Sequence, residues 1–126
     1  MRYLCLVYGE ERAFDNVPDS HCVAYDESIR ESGHCVSSEA LQPVSTATTV
    51  RVRNGKVSVT DGPFAETKEI LAGFYLIEAR DLDEAIKVAA GIPPAQVGSI
   101  EVRPSGRSAR PFADPPDLQN GPLEQE

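Results

Sequence analysis

Apolar residues recur along this chain with two periods, and each period predicts a type of element. In residues 2–8, Tyr3, Cys5 and Val7 form one alternating set and Leu4, Leu6 and Tyr8 the other. Both sets are apolar, which predicts a β-strand covered on both faces. Gly73–Ala79 reads the same way. Glu10–Pro18 is a polar connection. Asp19 or Ser20 can cap a helix running to about Ser32, with Cys22, Tyr25 and Ile29 on one stripe. Asp26, Glu27, Arg30 and Glu31 fall off that stripe, toward solvent. Gly33 suits the left-handed residue that ends the helix. His34–Leu41 then reads as a second strand, closed by Pro43.

Thr48–Thr60 carries the clearest local signal. Asn54-Gly55 is the preferred pair for a two-residue type I′ turn. That turn sets Arg53 opposite Lys56, Val52 opposite Val57, Arg51 opposite Ser58 and Val50 opposite Val59. The valines then share one face, and the basic and hydroxyl side chains share the other. Asp61-Gly62-Pro63-Phe64 must turn, because Pro63 lacks an N–H and disfavours helix at Gly62. Ala65–Leu71 is a short polar connection. Asp81 caps a second helix, with Glu84 placed as the reciprocal member of a capping box. Leu82, Ala85, Ile86 and Ala89 form its expected buried stripe. Gly91 ends it, and Pro93-Pro94 prevent its continuation. Ser99–Arg103 is a last strand, with Ile100 and Val102 inward. Residues 1–104 therefore form one domain. Residues 105–126, rich in proline and without periodicity, read as a flexible tail that Phe112 and Leu118 could anchor.

Composition narrows the classes. The chain has 126 residues, 40% of them apolar and 25% charged, which suits a single soluble domain. Twelve Lys and Arg against 20 Asp and Glu leave a net charge of −8. Nucleic acid and anionic membranes reward clustered cations, so neither is expected as a partner. The first residues show no signal-peptide pattern, and the three cysteines, Cys5, Cys22 and Cys35, are no disulfide framework. Both features point to a reducing, cytoplasmic setting. His21-Cys22 and His34-Cys35 lack zinc-knuckle spacing, so no metal site is expected. Cofactor motifs are absent too: there is no Gly-x-Gly-x-x-Gly and no phosphate-binding loop.

With the hairpin set aside, the element order is β-α-β-β-α-β. The expected fold is α+β and ferredoxin-like, with an inserted β-hairpin. Two helices cover one face of such a sheet, yet the strands at 2–8 and 73–79 are apolar on both. A homodimer joined through the second faces would cover them and enclose a chamber.

At this point the string Thr60-Asp61-Gly62-Pro63-Phe64-Ala65-Glu66-Thr67-Lys68-Glu69, followed by Gly73-Phe74-Tyr75-Leu76-Ile77-Glu78, resembles the signature of the YCII-related family in its DGPF branch. Ala47–Lys56 and Ser99–Pro104 are similar to the same branch, and the likeness spans about residues 1–104. The resemblance implies a dimeric α/β barrel of ferredoxin-like subunits. One branch carries a His–Asp pair in its pocket and includes an enzyme that eliminates chloride from a ring-cleavage-type aromatic product. Other DGPF proteins resemble companions of extracytoplasmic-function sigma factors. His21 matches the histidine's place, but no aspartate follows the second strand, where Glu39 and Gln42 are the nearest polar groups.

Two classes of function follow. The first is a pocket for a small polar or aromatic-derived molecule, with cofactor-free proton transfer of the isomerase or lyase type. Asp61 or His21 would be the base. Lys68 or Arg103 would stabilise developing negative charge, and Glu39, Phe64, Glu66 and Tyr75 would complete the binding set. Each has a plainer role: Asp61 holding the turn through backbone N–H groups, Phe64 plugging the loop onto the core, Glu66 and Lys68 solvated, Arg103 in an intersubunit salt bridge with Glu101, and His21 on the surface. The second class is a non-catalytic regulatory protein contacting a sigma factor.

Overall fold

The computed structural model describes residues 1–105, so the expectations placed on the tail lie outside the described residues. Those residues divide into two compact units, one made of Met1–Val44 with the chain from Thr67 onward, the other of Ser45–Glu66.

In the first unit β1 (Arg2–Gly9) leads through a 3-10 turn at Glu11–Asn16 into α1 (Asp19–Glu31), and β2 (Cys35–Ala40) follows. The second unit supplies β3 (Thr48–Arg53) and β4 (Lys56–Asp61). The first unit then resumes with β5 (Ile70–Glu78), α2 (Leu82–Ala90), a 3-10 turn at Pro93–Gln96 and β6 (Ser99–Pro104). Its sheet has the order β2-β5-β1-β6, every neighbouring pair antiparallel. This is the ferredoxin-like α+β fold, with the hairpin inserted between its second and third strands.

Strand alternation builds the core. Tyr3, Cys5 and Val7 of β1 and Tyr75 and Ile77 of β5 point to one face, where Ile29, Ala85, Val88, Ala89 and Ile92 meet them. Cys5, Ile77 and Ile92 are fully buried, and a buried aliphatic side chain of that size stabilises the fold by about 1.5–3 kcal/mol. On the opposite face Leu4 stands across from Leu76 and Leu6 across from Phe74. These four are only half-buried. The expected apolarity of both faces is therefore present, and the two faces differ in burial.

The helices depart from expectation in detail. α1 begins after Pro18 and has no side-chain cap; neither Asp19 nor Ser20 serves. Pro18 sits in extended geometry there (φ −63, ψ 136), and a helix start tolerates it because its first amides need no intrahelical partner. Gly33 is left-handed as expected, at φ 83. α2 has its Asp81 cap, which accepts the Glu84 amide at 2.9 Å. The reciprocal half is displaced: Glu84 takes the Arg80 amide at 2.9 Å, one residue earlier than a capping box requires. The buried stripe of α2 is Ala85, Val88 and Ala89, while Leu82 and Ile86 are each 49% exposed. Alanines let the helix approach the sheet closely, and the bulkier neighbours are left at its flanks. β5 starts at Ile70, earlier than the apolar run suggested, because its pairing with β1 continues past an irregularity at Val7/Tyr8 to Gly9.

The hairpin unit has the register set by its turn, from Val50–Val59 to Arg53–Lys56. Asn54 and Gly55 both have positive φ, at 53 and 78, as a type I′ turn requires. The segment after β4 is tied back by the Thr49 hydroxyl, which donates to the Gly62 carbonyl at 2.8 Å, and by the Gly62 amide, which donates to the Ala47 carbonyl at 2.7 Å. Asp61 makes no hydrogen bond in this turn among the described residues, so the turn-holding role falls to Thr49 and the backbone. Gly62 has φ 102, a conformation that a β-carbon would strain.

Candidate functional site

Between α1, the Glu11–Asn16 turn and the β2–β5 edge of the first unit lies an open cavity of about 450 Å³. α1 lines it with Asp19, Cys22, Asp26 and Arg30, a stripe at i, i+3, i+7 and i+11 that forms one helix face. Phe14 and Val17 close one end. The sheet supplies Val7, Ser38, Ala72 and Tyr75. Glu39 and Phe74 also border it. They stand opposite each other in the β2–β5 register, and alternation turns their side chains to the other face from Ser38 and Tyr75.

One hydrogen bond defines the wall of this cavity. The Tyr75 hydroxyl donates to Asp26 Oδ1 at 2.6 Å. Tyr75 is 8% exposed, in an apolar strand. A buried phenol needs a partner, and Asp26 is that partner rather than the solvent-facing residue its position in the helix suggested. Burial, then the Asp26 hydrogen bond and charge, push the Tyr75 phenol far above the ordinary tyrosine range. It is a neutral donor at any physiological pH. Beside it, burial and the carboxylates of Asp26 and Asp19 raise the Cys22 thiol. That thiol therefore ionises less readily than a free cysteine. Arg30 Nη2 reaches the Ser38 hydroxyl at a long 3.5 Å. Glu11 is already engaged, its Oε2 accepting the Val44 amide at 2.8 Å.

A shallower groove of about 570 Å³ runs along Tyr25, His34, Asp81, Glu84 and Lys87. Glu84 is held there by Arg80 at 2.9 Å and lies 3.7 Å from His34. The groove's charges largely satisfy one another, leaving less for a ligand to engage. Among the described residues, no group of three or more His, Cys, Asp and Glu side chains is placed to hold a metal ion.

Of the residues singled out from sequence, Tyr75 and Glu39 border the cavity, Glu39 with its side chain turned away. His21 lies next to Cys22 on α1, but it is exposed and outside the lining. Lys68 is 81% exposed and 4.0 Å from Glu10. Arg103 pairs with Glu101 on β6. Asp61, Phe64 and Glu66 belong to the hairpin unit. Phe64 is 79% exposed, and its carbonyl accepts from Arg51 at 3.3 Å within the hairpin unit. Sequence reasoning missed Asp19, Cys22, Asp26 and Arg30 as a set. Their helical spacing was legible, but nothing in it says that this stripe faces a void.

A model of the YCII-related domain matches residues 1–105. An uncharacterized protein of Rhizobium meliloti (strain 1021) is 39% identical over 113 residues, spanning 82% of this chain and 91% of its own length. Among the described residues no helix is long and apolar enough to cross a membrane. With the family model covering residues 1–105, this chain belongs to the YCII-related family.

Proposed function

We propose that this protein binds a small organic molecule in the cavity beneath α1, and that the Tyr75–Asp26 pair is the polar anchor of that site. The observation that carries the reading is the 2.6 Å hydrogen bond at the wall of a largely apolar cavity of about 450 Å³. Ligand sites are typically apolar concavities with a few fixed polar groups, and this one has that form. Where chemistry follows binding, it is cofactor-free proton transfer. Asp26 accepts a proton from the ligand, and the neutral Tyr75 phenol steadies the carboxylate or donates to an oxygen gaining charge. This assigns the base to Asp26 in place of Asp61 or His21.

The reading includes a homodimer. Leu4, Leu6, Phe74 and Leu76 form the half-buried second face of the sheet, and a second copy of the same surface is the occupant of matching character.

A fragment screen followed through backbone amide resonances tests the site. Binders should shift the resonances of residues 19–30 and 70–75. Tyr75→Phe, which keeps the ring and removes the hydroxyl, should weaken them about threefold to tenfold. Binders that map only to the opposite sheet face, or that ignore Tyr75→Phe, would overturn the proposal. Capture of a sigma factor with no fragment binding would favour the regulatory alternative.

A further inference from the structure

The cavity's charge specifies the class of ligand it takes. Four acidic residues line it, and with the Glu39 side chain turned to the other face, Glu11, Asp19 and Asp26 stand against the single guanidinium of Arg30. Arg30 is exposed, and among the described residues its side chain makes only the long contact to Ser38. Glu11 gives one oxygen to the Val44 amide and Asp26 one oxygen to Tyr75. Asp19, exposed in the lining, has no hydrogen-bond or ion partner among the described residues. Among the described residues neither Asp19 nor Asp26 is in an ion pair. The larger unit is acidic as a whole: its described residues hold seven Lys and Arg against 14 Asp and Glu. An anionic ligand would enter against that field, while a cation would enter with it. The remaining surface is apolar, with the Phe14 ring at one end and the Tyr75 ring on the sheet, and aromatic faces attract cations.

We infer that the cavity selects a small organic cation, an amine carried on an apolar or aromatic body, with its ammonium on the Asp19–Asp26 face of α1 and its body toward Phe14 and Val17. The inference rests on the proposed binding function and adds the sign of the ligand's charge to it.

Three probes of matched shape separate the two: benzylamine, benzyl alcohol and benzoate. Each is titrated into the full chain and followed by amide resonances of residues 19–30 and 70–75. Benzylamine should bind at least about threefold more tightly than benzyl alcohol, and benzoate more weakly than both. The benzylamine advantage should shrink as salt is raised. Asp19→Asn should weaken benzylamine about threefold and benzyl alcohol less. Asp26→Asn, which retains an oxygen to accept from Tyr75, should act in the same direction and guards against a silent result at exposed Asp19. Equal binding of all three probes at the cavity, or a preference for benzoate, would overturn the cationic class while the cavity stands as a binding site. Absence of any shift at millimolar probe concentration would count against both.

Discussion

The two helices of the ferredoxin-like unit are built for different tasks. α2 is short and well fastened: Asp81 caps it, Arg80 and Glu84 close its first turn, and Ala85, Val88 and Ala89 lie flush on the sheet. α1 is longer, lacks a side-chain cap and buries only Ile29. What it presents instead is the stripe of Asp19, Cys22, Asp26 and Arg30 facing a void. The helices meet where the Tyr25 hydroxyl donates to the Val88 carbonyl at 2.5 Å and where Gly91 leaves room for the Tyr25 side chain, whose hydroxyl lies 2.5 Å from where a β-carbon would stand. One helix supplies packing; the other gives up packing to hold polar groups beside an apolar cavity. A site of this kind needs its neighbour to carry the stability.

The sharpest way to break the contrast is to overfill α2. Ala85 is fully buried, and Ala85→Leu should destabilise the protein by about 1–3 kcal/mol in urea unfolding. Losing the cap comes next: Asp81→Ala should cost about 1 kcal/mol. Cavity-facing changes on α1 should cost less. Asp26→Asn keeps an acceptor for Tyr75, so its loss of stability should stay below about 1 kcal/mol while cavity binding falls. Should Asp26→Asn prove as destabilising as Ala85→Leu, α1 would be a packing helix and the division of labour would fail.

Acid sharpens the comparison further. The Arg80 amide, opposed in part by burial, holds the Glu84 carboxyl below the usual glutamate range, with the Arg80 charge and side-chain bond and then His34 adding to the effect. A folded-state pKa that is depressed gives stability present above the ordinary glutamate pKa and lost as pH falls through the lowered one. Melting temperatures of wild type and Glu84→Gln should therefore differ at neutral pH and converge in acid. The smallest effect is chemical. Because burial and two carboxylates raise its thiol, Cys22 should alkylate more slowly at neutral pH than a free cysteine. Cys5, pushed up to about 11 by burial and fully enclosed, should react slowest of the three. Faster labelling at Cys22 than in a small thiol would contradict the environment described.

Much of this was legible in the residues. The hairpin register followed from Asn54-Gly55 and the valine alternation, because a turn and its two strands are local in sequence. Asp81 and Gly33 were readable for the same reason. The cavity was harder. Asp26 looks solvent-bound from helix periodicity alone, and only the passage of Tyr75 beneath α1 gives it a partner 49 residues away. Asp61 and Phe64 drew notice because the Asp-Gly-Pro-Phe string stands out in one dimension. In the fold that string serves the return from β4, held by Thr49 and the backbone.

By itself the sequence determined the order of strands and helices, their turns and the two apolar faces of the central strands. Those depend on dihedral preferences and on side-chain periodicity, which act over a few residues. Tertiary structure alone decided which polar residues share a cavity, which carboxylate meets the buried phenol, and which flank of α2 is left to solvent. Those outcomes depend on how closely a helix approaches a sheet. That distance is fixed by side-chain volumes brought together from remote parts of the chain.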